Sequence, residues 1–305
     1  MKRRNRAVAG RRRPIRDVSL YVEVVGHGYP LVLMHGGPGA DHWSLLPFRR
    51  LADRFTLVFY DHRCNGRSEG PPVSSMTWEN LTADADALRG VLGFERWAVL
   101  GHSFGGHVAL EYALRYPDAV SHLVLLDTGA DAWWSRENGP RLLAKRGYDA
   151  RTVALARRFF SGRIEPGEMA RGLMRFGSAY YHRPSLWRMA GQLLRGEWHT
   201  TMRPEALIFA GRELFPGWTL MDRLAEITAP TLVMAGRDDF LFPPEHQVAL
   251  AAGLPHARLE IIERAGHNPH EERPDEVLAG VIDFVSADPA VLRASTGSSG
   301  SGRPG

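Results

Sequence analysis

The sequence predicts an α/β fold, a mostly parallel sheet with flanking helices and a helical cap inserted between its sixth and seventh strands. Short apolar runs alternate with helically patterned segments over residues 17–131 and again over 222–288, the rhythm of a sheet covered on both faces. Residues able to do chemistry follow several of those runs directly, as expected where a parallel sheet presents the carboxyl ends of its strands. Between the two stretches, residues 132–221 lack β-like runs and carry five of the eight tryptophans, Trp133, Trp134, Trp187, Trp198 and Trp218.

Taken in order, residues 18–25 alternate like a strand, 26–30 form a turn, and Leu31-Val32-Leu33-Met34 is a buried strand running into His35-Gly36-Gly37-Pro38-Gly39. That loop lacks the Gly-Lys-Ser/Thr ending of a phosphate cradle and the spacing of a dinucleotide fingerprint. Residues 56–60 make the next strand, ending at Asp61, and 78–92 have helical spacing. The run Trp97-Ala98-Val99-Leu100 leads into Gly101-His102-Ser103-Phe104-Gly105 and a helix closed by Pro117. A strand over 122–126 ends at Asp127, so His35, Asp61, Ser103 and Asp127 all fall at strand ends. Within the insertion, 151–160, 184–194 and 204–213 read as helices. The sheet pattern returns at 230–235 and 258–262, with helices over 244–253 and 274–285.

The chain has 305 residues, of which 44% are hydrophobic, enough for one large domain with an insertion. Its net charge of +4 suggests an anionic partner, but residues 1–16 hold eight Lys/Arg and no acid, which leaves the remainder at −4. The positive charge therefore belongs to a basic arm expected to be disordered, and nucleic-acid binding is not expected of the domain. No apolar run is long enough to span a bilayer, and the basic start is not followed by a leader-type apolar segment. A lone cysteine, Cys64, excludes an internal disulfide framework, so a cytoplasmic location is expected. Residues 289–305 read as a flexible Ser/Gly-rich tail.

A serine held between two glycines at a strand-to-helix turn is a nucleophile elbow, because a Cβ at either flank would crowd the backbone that projects the hydroxyl. Serine attacks a carbonyl only if a base takes its proton, and the base needs a carboxylate to fix its tautomer. His267 follows the last strand and is the expected base. Asp238 and Asp239 follow the strand before it and compete for the role of acid. The chain order serine, acid, histidine is that of α/β-hydrolases. The oxyanion donors expected are the N–H of Phe104 and that of Gly37, with Gly36 as the alternative; Pro38 has none to give. His267 and His270 have a metal-pair separation, but the intervening Pro269 disfavours a helix presenting both. No metal or cofactor is expected.

These motifs identify the chain as resembling the α/β-hydrolase superfamily, and His35-Gly36-Gly37-Pro38-Gly39 with Gly101-His102-Ser103-Phe104-Gly105-Gly106 resembles the proline iminopeptidase branch. The similarity runs over residues 18–286 and includes 61–68, similar to that family's D-x-R-G-x-G-x-S loop, with Cys64 in place of its usual glycine. The resemblance implies Asp239 as the acid, three residues after Gly236. It also implies carboxylates around a substrate amino group, one of them just after the acid. Phe240 stands there instead, leaving Glu205, Glu213 and Glu245 as candidates for that task. Trp133 and Trp134 are expected to line the roof of the site. The expected function is a serine hydrolase, acylated on Ser103, acting on a small-molecule amide in the iminopeptidase manner. A small hydrophobic ester or lactone, or acyl transfer, is the alternative. From a different class, a ligand-binding module without catalysis could keep the same pocket.

Overall fold

The computed structural model describes residues 10–183 and 201–288. Eight strands form one sheet in the order β1-β2-β4-β3-β5-β6-β7-β8. They are β1 Arg11–Ile15, β2 Val18–Gly26, β3 Tyr29–Met34, β4 Phe55–Tyr60, β5 Trp97–His102, β6 Val120–Leu126, β7 Thr231–Gly236 and β8 Ala257–Ile262. β1 and β2 pair antiparallel, as do β2 and β4; every pairing from β4 across to β8 is parallel.

β1 corrects the expectation of a disordered arm over residues 1–16. Arg11, Arg12 and Arg13 pair with Val22, Tyr21 and Leu20, while Ile15 is buried. Arginines and Pro14 suit an edge strand, where charge and a missing N–H discourage further pairing. Residues 1–9, the tail 289–305, the helix expected over 184–194, and Trp187 and Trp198 lie outside the described residues.

The central strands are buried on both faces, which explains why they read as apolar runs rather than as alternations. The alternation exists, however, in what each side chain touches. Val32 and Met34 pack in one core with helices α1 (Trp78–Val91) and α2 (Phe104–Arg115). Leu31 and Leu33 pack in the other, against the helix Pro274–Ser286 and the 3₁₀ segment His42–Leu51. A third apolar cluster belongs to the insertion. It joins Leu143, Val153, Phe159 and Phe176 to Phe240, Leu241 and Phe242 from the loop after β7.

The insertion leaves and re-enters the sheet domain through a short antiparallel neck. Ala132 N–H reaches Trp218 O at 3.3 Å and Leu220 N–H reaches Ala130 O at 2.7 Å, around the Asp131–Thr219 bridge. A second tether is Arg203, whose Nε and Nη2 donate to Gly66 O at 2.9 Å and Ser68 O at 2.6 Å. Among the described residues the α-helices of this region are Gly139–Lys145, Ala150–Phe160, Met169–Phe176 and Pro204–Phe209, the last passing into a π-turn, Ala210–Leu214. Among the described residues no helix is long and apolar enough to cross a membrane.

Candidate active site

The loops after β3, β5, β7 and β8 meet at one end of the sheet. Ser103 sits between β5 and α2 with φ +53°, a backbone strain uncommon for a residue with a Cβ. Its neighbours permit this only because they are glycines. A Cβ on Gly101 would lie 2.4 Å from Gly105 O, and one on Gly105 would lie 2.0 Å from Met34 O. The elbow is thus locked between its own helix and β3.

Ser103 Oγ lies 3.0 Å from His267 Nε2, and His267 Nδ1 lies 2.9 Å from Asp239 Oδ2. With Nδ1 protonated, His267 donates to the carboxylate and leaves Nε2 free to accept the serine proton. The second oxygen of Asp239 accepts the Leu241 N–H at 2.8 Å, so the carboxylate is fixed at both ends. Asp238 points away: its Oδ2 meets His182 Nδ1 at 2.6 Å, and its side chain is 39% exposed. Of the two adjacent acids, Asp239 is the one that faces the imidazole.

Phe104 opens α2, so its N–H has no acceptor within the helix, and the residue lines the site. Gly36 and Gly37 line the same cavity and differ in why they are glycine. A Cβ on Gly36 would press on His102 Nδ1 at 2.9 Å and Ser103 Cβ at 3.0 Å. At Gly37 there is room, but φ is +60°. His35 holds this loop, its Nδ1 donating to Gly36 O at 2.9 Å while Nε2 accepts the His62 N–H at 3.1 Å. Burial keeps His35 neutral by lowering its pKa, which that donor-acceptor arrangement requires.

Behind Asp239 stands Asp127, fully buried, with φ +42° and with Oδ1 accepting the Gly236 N–H at 2.8 Å. Burial first, then the neighbouring Asp239 carboxylate, push the Asp127 carboxyl well above its usual range. Asp127, Asp239 and His267 are, among the described residues, the set of acids and imidazole compact enough to hold a cation, with ligating atoms within 4.8 Å. Within this set the His267 imidazole is hydrogen-bonded to Asp239, and Asp127 accepts the Gly236 N–H.

A cavity of about 250 Å³ opens on Ser103, walled by Phe104, Phe159, Phe160, Phe215, Leu241 and Phe242, with His107 also facing it. No Asp, Glu, Lys or Arg occurs among its described lining residues. The residues expected to bind substrate lie elsewhere. Trp133 is 48% exposed, and Trp134 packs on His246 at 4.6 Å. Phe240 is fully buried between Tyr180 and the insertion's cluster, because it anchors the cap rather than facing the cavity. Glu205 and Glu213 line a separate hollow with Pro166 and Arg212, and Glu245 sits in the first turn of helix Pro244–Gly253. Cys64 adopts φ +61° where the resemblance expects glycine; burial raises its thiol pKa, so it is not a reactive thiolate.

Sequence reading missed Tyr180, whose carbonyl accepts the His267 N–H at 2.8 Å. Nothing local marks it, since the contact spans 87 residues of chain. Asp127 carried a signal in its place at a strand end, and His107 in its spacing one helical turn beyond Ser103.

Residues 29–274 match the family model described as alpha/beta hydrolase fold. The chain is 28% identical over 284 residues to a 2-hydroxy-6-oxo-6-phenylhexa-2,4-dienoate hydrolase of Comamonas testosteroni, covering 88% of this chain and 92% of that one. It is 26% identical over 275 residues to a proline iminopeptidase of Heyndrickxia coagulans, covering 86% and 92%. Among solved structures, a proline iminopeptidase of Mycobacterium smegmatis superposes with a TM-score of 0.72 at 26% identity, over 92% of this chain and all of that one. The chain is therefore a hydrolase that belongs to the alpha/beta hydrolase fold family.

Proposed function

We propose that the protein is a serine hydrolase that acylates Ser103 with a small, uncharged acyl group from an ester. The observation that carries this reading is the 3.0 Å and 2.9 Å relay from Ser103 through His267 to Asp239 at the floor of an aromatic-walled cavity whose described lining residues carry no Asp, Glu, Lys or Arg. His267 Nε2 takes the Ser103 proton as Oγ attacks the carbonyl carbon, and the N–H groups of Phe104 and Gly37 receive the oxyanion. His267 then returns the proton to the leaving oxygen as the C–O bond breaks. Water repeats the sequence in reverse to free the acid, while Asp239 stays ionised throughout.

The absence of charge among the described lining residues favours an ester over an iminopeptidase substrate, whose ammonium group would find no counter-charge among them, at high cost. The same argument disfavours a dienoate carboxylate of the kind in the name of the Comamonas relative. Likeness to the two iminopeptidases supports the amide reading, and a screen decides between them. A fluorophosphonate probe should label the wild type and not Ser103→Ala. p-Nitrophenyl esters of short acids should turn over faster than prolyl p-nitroanilide. Absence of Ser103-dependent labelling would sink the hydrolase mechanism and leave the binding-module reading.

A further inference from the structure

His107 lies four residues after Ser103 on α2, so it stands one turn along the helix on the side that faces the cavity. Its ring is 2% exposed, and neither nitrogen has a hydrogen-bond partner among the described residues. Aromatic rings fix it in place without satisfying it. Trp218 lies at 4.6 Å, tilted, while Phe242 at 5.6 Å and Phe215 at 5.7 Å meet it edge-on. His246, whose charge would also act on this ring, likewise has neither nitrogen hydrogen-bonded among the described residues. Burial lowers the His107 pKa to about 3, with His246 and His267 adding to the effect, so the ring is neutral and presents one donor and one acceptor. Unmet polar atoms in so apolar a wall are costly, and a ligand that meets them recovers that cost.

We propose that His107 is a specificity-determining residue that hydrogen-bonds a second, uncharged oxygen of the acyl group, a ketone or hydroxyl, while the ester carbonyl sits at Ser103. The inference rests on Ser103 being the nucleophile. A carboxylate is disfavoured because a neutral imidazole supplies a single donor and the described lining adds no cation. Four residues of helix rise by about 6 Å. At roughly 1.3 Å of reach per bond along an extended chain, the second oxygen falls about five bonds from the scissile carbonyl carbon.

The test compares kcat/KM for p-nitrophenyl 5-oxohexanoate, p-nitrophenyl hexanoate and the mono-p-nitrophenyl ester of adipic acid. Each variant is first titrated with fluorophosphonate to count active Ser103. The wild type should prefer the oxo ester over the hexanoate by about tenfold, which is about 1.4 kcal/mol, and should turn over the adipate ester slowest. In His107→Phe the oxo-to-plain ratio should fall to near one, and in His107→Gln, which keeps a donor and an acceptor, it should stay above three. A wild-type ratio of one or less, or a preference for the adipate ester, overturns the proposal whether or not the variants fold. An unchanged ratio in a labelled His107→Phe also overturns it. No labelling of the wild type at all would instead overturn the hydrolase mechanism.

Discussion

Acidification should unfold this protein sooner than its carboxylates alone would. His107, His246 and His270 are buried as neutral rings, with burial the leading cause in each, and their pKa values fall to about 3, about 4 and about 3. In the unfolded chain each titrates near 6.5, so below that pH the unfolded state holds protons that the folded state refuses. Their stabilising contribution is complete above pH 6.5 and is lost as pH falls toward those folded values. Each ring contributes about 1.4 kcal/mol per pH unit, so the three together give about 4. Asp127, its carboxyl raised by burial and then by the Asp239 carboxylate, acts oppositely and offsets part of this slope. Before that offset, these three rings alone give a slope of about 4 kcal/mol per pH unit below 6.5. His35, His62 and His102, also lowered by burial, add in the same direction. His42 leaves that slope alone: although burial opposes it, hydrogen bonds to Asp61 and Glu23 raise its pKa, so its contribution is complete below 6.5 and lost only above. Asp61 and Glu23, held low by His42 against burial, are lost only below the carboxylate range. For a fold worth 5 to 15 kcal/mol, roughly two pH units suffice to unfold the less stable end of that range. Urea denaturation at half-unit steps from pH 7.5 to 4.5 measures the slope. His246→Leu should reduce it by about 1.4 kcal/mol per unit. A change under about 1 kcal/mol between pH 6.5 and 5.5 would refute the reasoning.

Three further outcomes follow from the geometry. Gly105→Ala should destabilise by about 1–3 kcal/mol in thermal denaturation and lower esterase turnover. Helix propensity alone would have it stabilise by about 1 kcal/mol, but the new Cβ meets Met34 O at 2.0 Å, so a raised melting temperature contradicts the packing argument. Asp84→Ala leaves the fully buried Arg63 guanidinium, now bonded at 2.6 and 2.7 Å, with Asp17 as its remaining carboxylate. Equilibrium unfolding should show a loss of about 3–5 kcal/mol. Asp127→Asn, which keeps a neutral acceptor for Gly236 N–H, should hold kcat within tenfold of wild type. Asp127→Ala, leaving that N–H unmet, should cost about 1–3 kcal/mol of stability.

What the sequence made legible is what repeats at short range. β2 shows as an alternation, the strands β3 to β8 as short strand-like runs, the elbow as a glycine pattern, and Ser103 and His267 as residues that follow strands. β1 was hidden because an arginine-rich edge strand has the composition of a solvated arm, and only its partner β2 gives it structure. Asp238 and Asp239 are equivalent in the chain; the turn after β7 separates them by sending one toward His182 and the other toward His267. The lining of the cavity was least legible. Tryptophans and acids in the insertion look alike whether they face a substrate, a hollow or solvent, and tertiary packing alone assigns Phe242 to the wall and Phe240 to the cap's foundation.

His267 is held from two sides: its N–H donates to Tyr180 O of the insertion, and its carbonyl lies 3.0 Å from His102 Nε2 on β5, the strand that leads into Ser103. A Cβ on Gly266 would lie 2.6 Å from Tyr180 O, so the two backbones fit together without slack. The cap is consequently not an interchangeable module. Exchanging residues 132–221 for the insertion of another hydrolase would remove one of the supports of His267, the proposed base, along with the cavity walls that the insertion supplies. A graft meant to change substrate range would need to retain the 178–182 segment and its fit against Gly266, or it would alter reactivity and selectivity together.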